Sequence, residues 1–493
     1  MGDLGVGELG EAIALRLREP PVVLHTVPHE QQCPPVGHVD DASDRSQRAV
    51  IDVDVVDLLS EIALDRVGNA VVEVLGPGGR VEVTVEVSRF VQDLNLAARS
   101  PTHRRPDGSA GTRNHVLVIP GGIFAQKICQ SVRGTHTIIT SDQGTGRTGR
   151  DRETIARTLI GLGRNPNVAA VILHEGGGGG YPELAAERVA GAIAESGKPV
   201  EMIDGGERGG DWGAIERGTR LARQLVHDGS RLRREPCPVS ELTLGVKCGG
   251  SDPTSGVARN PTIGEMFDRV VAGGGTAIFG ETTEVIGAEH VLVRRAERPE
   301  VAAALMAAVE ETERRALATG EDIRTINPVP ANIRSGISTL EEKSLGGAIH
   351  RAGSAPLRGV LKYGERPPGK GLFFADTYAW NQSIFGSHAA SGATIMLYQF
   401  GGSGAASNRT LVPSNVPVVV PLMWTKASPI SWARNGEDVD FYAGSVIAVE
   451  ETIEQAGERL YRIVLDIASG TMTRTETIEY QDSLQMYLLD PML

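Results

Sequence analysis

Between Asn114 and Leu225 continuous apolar runs alternate with amphipathic stretches, and no other feature constrains the fold as strongly. Residues 114–119, 136–141, 168–173 and 200–203 read as strands. Residues 124–132, 152–162, a segment opened by Pro182 and residues 212–225 read as helices between them. Strands that are apolar on both faces need cover on both faces. Intervening helices supply it, so the pattern predicts a parallel sheet of the α/β class. Ligands of such sheets sit beyond the carboxyl ends of the strands. Here those ends carry Asp142 with Gly144-Thr145-Gly146, then His174-Glu175 and a glycine run, then Asp204-Gly205-Gly206.

A second α/β unit follows, with strands expected over 242–246, 276–279, 372–374, 394–400 and 416–422 and a long helix over 300–317. The charged stretch 228–238, broken by Pro236 and Pro238, reads as a linker. The tail from Met472 is too polar to place. Residues 1–95 differ from the rest: no aromatic precedes Phe90, and only 50–56 and 80–87 alternate like half-buried strands. With few large side chains to fill a core, they read as a poorly ordered N-terminal appendage. A start placed too far upstream would give the same composition. The expected architecture is therefore α/β: two parallel-sheet domains, 103–232 and 238–493, preceded by an appendage outside the catalytic fold.

The net charge of −13 argues against nucleic acid as the main partner. No apolar run is long enough to span a bilayer, so no membrane partner is expected. The four cysteines, Cys33, Cys129, Cys237 and Cys248, show no paired spacing. With no signal-peptide pattern, the expected setting is a reducing cytoplasm.

Residues 244–260 gather a thiol, hydroxyls, a carboxylate, a guanidinium and an amide into one glycine-rich loop. Asn260-Pro261 reads as the start of a helix, whose N-terminus favours an anion. A plain glycine turn with a buried Cys and a capping Asn is the alternative. Gly144-Thr-Gly-Arg-Thr-Gly149 fits G-x-G-x-x-G, but two residues separate it from its strand and no acid follows at the ribose-binding distance. Glu281, Glu284, Glu289 and His290 after a strand suit either a cation or a solvated loop. Thr339 with Glu342 makes a capping box. Lys343, in the first turns of that helix, opposes the dipole, which suggests an anionic partner or proton transfer; a solvated lysine is the alternative.

In this order the loops resemble the altronate/galactarate dehydratase family, which also holds the large subunit of sulfolactate sulfo-lyase. The resemblance rests on residues 105–114, Asn165-Pro-Asn-Val168, Cys248-Gly-Gly-Ser-Asp252 with Ser255-Gly256 and Asn260-Pro261, and residues 273–277. It continues through Glu281, Glu284, residues 287–289, Asn327-Pro328, Glu341-Glu-Lys-Ser-Leu-Gly346 and Asp376, covering residues 103 to 450. Gly144-Thr145-Gly146 stands where the family pattern has Gly-Cys-Gly, leaving Cys248 as the candidate thiolate.

The resemblance implies a lyase that dehydrates a sugar acid such as altronate or galactarate to a 2-keto-3-deoxy acid. It implies help from a divalent cation (Fe2+, Mn2+, Mg2+ or Ca2+) and no nucleotide cofactor. Lys343 or His136 is the expected base, with Asp252 and Glu341 also among the catalytic candidates. Cys248, Glu284 and Asp252 are the expected metal ligands. Arg113, Asn114, Ser251, Ser255, Asn260, Gly249 and Gly250 are the expected substrate contacts. Family members carry a small antifreeze-like (SAF) domain in the same chain or as a separate subunit. That domain's pattern is not found here, so a separate small subunit is an expected partner, and a homo-oligomer is compatible. Three rival readings stand beside this one: a sulfo-lyase-type large subunit acting on a small hydroxy acid, a non-catalytic sugar-acid-binding relative, and a nicotinamide oxidoreductase using residues 144–149.

Overall fold

The computed structural model describes residues 99–492 apart from 141, 143, 176–177, 205–208, 402–418 and 479–482, together with the backbone of four earlier strands. The chain divides after Asn95 into two units. In the first unit the four strands form one antiparallel sheet, ordered Val22–Leu24, Ile13–Arg16, Asn69–Gly76, Gly79–Glu86. The alternating run expected over 80–87 falls on the last of these. The run at 50–56, and the reading of the appendage as poorly ordered, lie outside the described residues.

The second unit holds two parallel sheets. The first contains β1 (His115–Ile119), β2 (Thr135–Thr137), β3 (Val168–Glu175) and β4 (Val200–Asp204), in the order β4-β3-β1-β2. Helices α1 (Ile123–Ser131) and α4 (Gly210–Gly229) cover one face, and α2 (Gly149–Arg164) and α3 (Ala186–Ala194) the other. The strand period of two explains the split. Val116, Val118, Ala170 and Ile172 face Ile128, Ala214 and Ala222, while Leu117, Ile119, Val171 and Leu173 face Ile155, Leu159 and Ile193.

The second sheet has seven strands: β5 (Thr243–Gly249), β6 (Thr276–Gly280), β7 (Leu357–Leu361), β8 (Gly371–Ala375), β9 (Ile395–Phe400), β10 (Leu422–Lys426) and β11 (Phe441–Tyr442). Their order is β7-β8-β6-β5-β9-β10-β11, all parallel. Helix α5 (Asn260–Ala272) and the strongly amphipathic α9 (Ile453–Ala468) cover one face, with Phe267 and Leu460 in its core. Helices α6 (Pro299–Ala318) and α7 (Leu340–Ser344) flank the sheet, and α8 (Asn381–Ala390) covers the other face. The strand expected over 416–422 begins instead at Leu422; residues 416–418 lie outside the described set.

The stretch 228–238 is not a free linker. Residues Glu235–Pro238 pair antiparallel with Arg99–Arg104. The two sheets also share one core: α2 lies against α8, where a Cβ on Gly161 would meet the Ala390 carbonyl oxygen at 2.4 Å. Leu159 and Leu162 belong to the same apolar cluster as Phe385, Tyr398 and Trp424. The tail that sequence left unplaced adds Leu484 and Met486 to it.

Asn165 and Asn167 fasten the two halves by hydrogen bonds. Asn165 Nδ2 donates to the carbonyls of Ala389 and Ala393 (2.8 and 2.9 Å). Asn167 Nδ2 donates to those of Thr394 and Val419 (both 3.0 Å), while its Oδ1 accepts from the Thr112 and Arg113 amides (2.7 and 3.2 Å). Both side chains are wholly buried. Asn167→Ala strands donors and acceptors that water cannot reach, at about 1–3 kcal/mol for each such group. Urea unfolding should show a loss of about 3 kcal/mol or more; a loss below about 1 kcal/mol would mean that the fastening carries little stability.

Candidate active site

Strands β6, β7 and β8 lie on one side of β5, and β9 to β11 on the other. The carboxyl ends of β5 and β9 therefore form the topological switch point, where open α/β sheets take ligands. A cavity of about 360 Å³ opens there. The end of β5 contributes Lys247, Cys248, Gly249, Gly250 and Ser251, the end of β6 Glu281 and Thr283, and β9 Tyr398 and Phe400. Asn381 and Trp380 come from the segment after β8, and Asn327, Asn332 and Lys343 from the facing wall. Glycine is needed at the floor: a Cβ on Gly249 would lie 2.3 Å from the Tyr398 hydroxyl, and Gly250 has φ +55°.

Two buried ion pairs stand at this floor. Lys247 Nζ lies 2.7 Å from Glu281 Oε2, and Arg351 Nη2 lies 2.7 Å from Glu284 Oε2. Glu281 has φ 78°, a strained setting for a residue with a Cβ. Its amide donates to Thr377 Oγ1 (2.9 Å), and its carboxylate is tied by the Lys247 pair. Burial opposes ionisation of Glu284, yet Arg351, Lys343 and Lys247 together hold its pKa down at about 2. Ser251 Oγ donates to Glu284 Oε1 (3.3 Å) and shares a hydrogen bond with Cys248 Sγ (2.9 Å). Burial and then Glu284 push the Cys248 thiol up, against Arg259, Arg351 and Lys247.

The helix behind the loop starts earlier than Asn260-Pro261 suggested. Helical backbone begins at Pro253, and Asp252 caps it, its Oδ1 accepting from the Ser255 amide (3.1 Å). A wider π-type turn, Ser255–Arg259, runs on into α5. Asn260 is thus inside the helix, and its Nδ2 donates to the Gly346 carbonyl rather than capping. A matching π-type turn, Leu345–Ile349, follows α7. The two turns touch at Gly256 and Gly346, where a Cβ on either would lie 3.2 Å from the other's Cα. This contact ties the Cys248 loop to the helix carrying Lys343. Of the expected capping box one arm forms: Thr339 Oγ1 accepts from the Glu342 amide (3.1 Å), while the Glu342 carboxylate accepts from the amide and hydroxyl of Ser338 (2.7 and 2.6 Å). Lys343 is buried, and among the described residues its one side-chain hydrogen bond runs from Nζ to Asn327 Oδ1 (2.8 Å).

The structure brings together Cys248, Gly249, Gly250, Ser251, Glu284 and Lys343, with Asp252, Ser255 and Asn260 directly behind them. It does not bring in Arg113, Asn114, His136 or Glu341. All five N–H groups of Arg113 are used, on both oxygens of Glu476 and on the carbonyls of Thr112, Ile467 and Thr471. Asn114 accepts from Arg105 (2.8 Å) and donates to the Gly229 carbonyl. Glu341 is half-exposed on α7 and pairs with Arg324 at 3.5 Å. His136 lies in the first sheet, edge-on to His115 with ring centroids 4.1 Å apart.

Burial pushes His136 down to about 4, against Glu476; burial, with Arg234 and Arg105, does the same to His103. A histidine depressed from an unfolded value near 6.5 stabilises the fold above that value and gives the stability up as pH falls through the folded value. The melting temperature should therefore drop between about pH 6.5 and 4, and His136→Gln should flatten that drop. An unchanged pH profile in the variant would remove His136 as a contributor.

Residues 102–230 match the model for the D-galactarate dehydratase/altronate hydrolase second domain, and residues 239–489 that for the D-galactarate/altronate dehydratase C-terminal domain. The chain is 33% identical over 388 residues to the (2R)-sulfolactate sulfo-lyase subunit beta of Chromohalobacter salexigens, covering 77% of this chain and 95% of that one. The chain belongs to the galactarate/altronate dehydratase family. An altronate dehydratase of Bacillus subtilis is 30% identical over 393 residues (77% of this chain, 76% of the relative). A galactarate dehydratase of Escherichia coli is 32% identical over 320 residues (64% and 59%). These relatives are dehydratases and lyases, which supports a lyase here.

The family resemblance led to a divalent cation held by Cys248, Glu284 and Asp252. The side chains do not fit that set as a metal centre: the thiol is bonded to Ser251, Glu284 is paired with Arg351, and Asp252 caps a helix. Among the described residues no group of three or more His, Cys, Asp or Glu is placed to hold an ion. Sequence reading passed over Lys247, Arg351, Asn332, Asn381 and Tyr398. Lys247 had a signal, a charge at the end of an apolar strand; Arg351 had none. No helix among the described residues is long and apolar enough to cross a membrane.

Proposed function

We propose that this chain catalyses β-elimination from a hydroxylated sugar acid, releasing water and a 2-keto-3-deoxy acid. Support comes from the site at the sheet's switch point, where Lys343 faces the cavity with an amide as its hydrogen-bond partner. Polar side chains that line the cavity, Ser251, Asn332 and Asn381, hold the substrate carboxylate, and hydrogen bonds to it lower the barrier to losing the weakly acidic α-proton. Lys343, as the free amine, takes that proton; the C–H electron pair forms the C=C bond, and the β-hydroxyl leaves as water on the proton that Lys343 then returns, which restores the amine. The enol then tautomerises to the keto acid. No step is assigned to a cation. The test is a panel of aldonates and aldarates read for 2-keto acid; no product from any of them would overturn the reading.

One observation favours a second reading. This chain spans 95% of the sulfo-lyase subunit beta but 76% of the altronate dehydratase. In that reading sulfite leaves in place of water, and a separate small subunit completes the enzyme. Sulfite release from sulfolactate, dependent on a co-expressed small protein, would select it over dehydration.

A further inference from the structure

Tyr398 stands on β9 in register with Lys247 of β5 and lines the same cavity. Its ring is packed edge-to-face between Phe385 and Trp424, with centroids 5.3 and 4.8 Å away. Its hydroxyl accepts a hydrogen bond from Asn381 Nδ2 at 2.8 Å. Among the described residues no acceptor takes the hydroxyl's own proton. Asn381, the first residue of α8, also lines the cavity. Gly249, a third lining residue, makes room for the phenol: a Cβ there would lie 2.3 Å from its oxygen. The φ of Gly249 is not positive, so it is Tyr398, not the backbone, that excludes a side chain at this position. Glycine thus leaves the hydroxyl uncovered on the cavity side.

Most neighbouring donors are engaged within the wall. Lys247 Nζ goes to Glu281, Lys343 Nζ to Asn327, and Asn332 Nδ2 to the Ser251 carbonyl (2.9 Å). Thr283 Oγ1 and Asn327 Nδ2 are buried without a partner, and both residues line the cavity. The wall therefore keeps donors available, which suits a ligand whose charge gathers on oxygen. A phenol has one O–H to give, and with Asn381 on a lone pair of its oxygen that O–H is left to the cavity. We propose that Tyr398 is a catalytic residue, donating a hydrogen bond to the substrate carboxylate as charge moves onto it, with Asn381 as its positioning residue. This rests on the proposed function for the reaction and deepens it. Lys343 removes the α-proton, and the C–H electron pair shifts towards the carboxylate. The Tyr398 hydrogen bond strengthens on the oxygen that gains charge. The pair then forms the C=C bond as the β-hydroxyl departs. Tyr398 makes and breaks no covalent bond. Burial and then Cys248 push the phenol up, against Asn381, which suits a donor that keeps its proton.

The test uses oxalate, a planar dianion shaped like the carboxylate at its most charged, with calorimetry and ultraviolet difference spectra of the full chain. No other tyrosine among the described residues lines the cavity, so oxalate should red-shift one tyrosine's absorption. Tyr398→Phe should abolish that signal and bind oxalate at least about 10-fold more weakly. On the best substrate of the panel it should lower kcat at least about 30-fold, with KM within about 3-fold and the melting temperature within a few degrees of the parent. Asn381→Ala should cost less oxalate affinity in the Tyr398→Phe background than in the parent, because part of its effect runs through the phenol; equal costs would overturn its positioning role. The parent spectrum needs no variant: no oxalate binding, or binding with no tyrosine shift, overturns the inference by itself. So does a signal that survives Tyr398→Phe, or a kcat of that variant within about 3-fold of the parent. Oxalate binding with the Tyr398 signal, but no keto acid from any substrate, would sustain Tyr398 as the anion's donor while removing the proposed reaction.

Discussion

Lys343→Met is expected to lower kcat at least 100-fold while leaving the melting temperature within a few degrees of the parent. General acid–base groups contribute about 10²–10⁴-fold, and the cavity offers Lys343 an amide rather than a carboxylate as its partner. Its charge is thus not consumed by a single structural ion pair, although it does help hold Glu284 ionised. Lys343→Arg should keep that charge but misplace the proton-transfer atom, so kcat should stay low while KM changes little. Steady-state assay on the best substrate of the panel decides the matter. Activity of Lys343→Met within about 10-fold of the parent would remove it as the base.

Arg351→Met should have the largest effect on stability. It leaves Glu284, wholly buried, without its ion-pair partner. Breaking a buried pair from one side costs about 3–5 kcal/mol, more than the pair is worth against apolar replacements. The pH dependence has a defined sign. A carboxylate depressed to about 2 adds stability that is complete above its ordinary value near 4.5 and is lost as pH falls towards 2. Arg351→Met should therefore lose most at neutral pH and differ less from the parent in acid. The double variant Arg351→Met/Glu284→Gln should recover part of the loss, because no buried charge is then left alone. Equal losses in the single and double variants would show that packing, not charge, dominates at this position.

Both parallel sheets were legible because their strands are buried on both faces, and such strands leave unbroken apolar runs. The candidate site was legible where its chemistry is contiguous, as in Cys248-Gly-Gly-Ser-Asp252. It was not legible where partners come from distant elements, as with Glu284 and Arg351 or Lys343 and Asn327. The helix start illustrates a subtler failure. An acid or amide followed by proline signals an N-terminus at both Asp252-Pro253 and Asn260-Pro261, and the intervening π-type turn breaks the period that would have joined them. Arg113-Asn114 shows the converse: polar residues that look poised for a ligand are exhausted by carbonyls and one carboxylate once the halves meet. Helix α9 carried a readable capping box in Thr452 and Gln455 that the strand-led reading left unused.

The asparagines that bind the two sheets together bear on how such a chain can be inherited and engineered. Family models cut this sequence near residue 230, as if into exchangeable modules. Yet α2 and α8 interlock at Gly161, and Asn167 speaks to backbone on both sides of that cut. The halves are therefore poor candidates for recombination with homologues as independent cassettes. Admission of ligand falls to the rim of the cavity, where Ile326, Val329 and Trp380 stand in solvent. Changes in specificity that spare the fold are to be sought at that rim and floor, and chimeras are better joined outside residues 99–492 than within them.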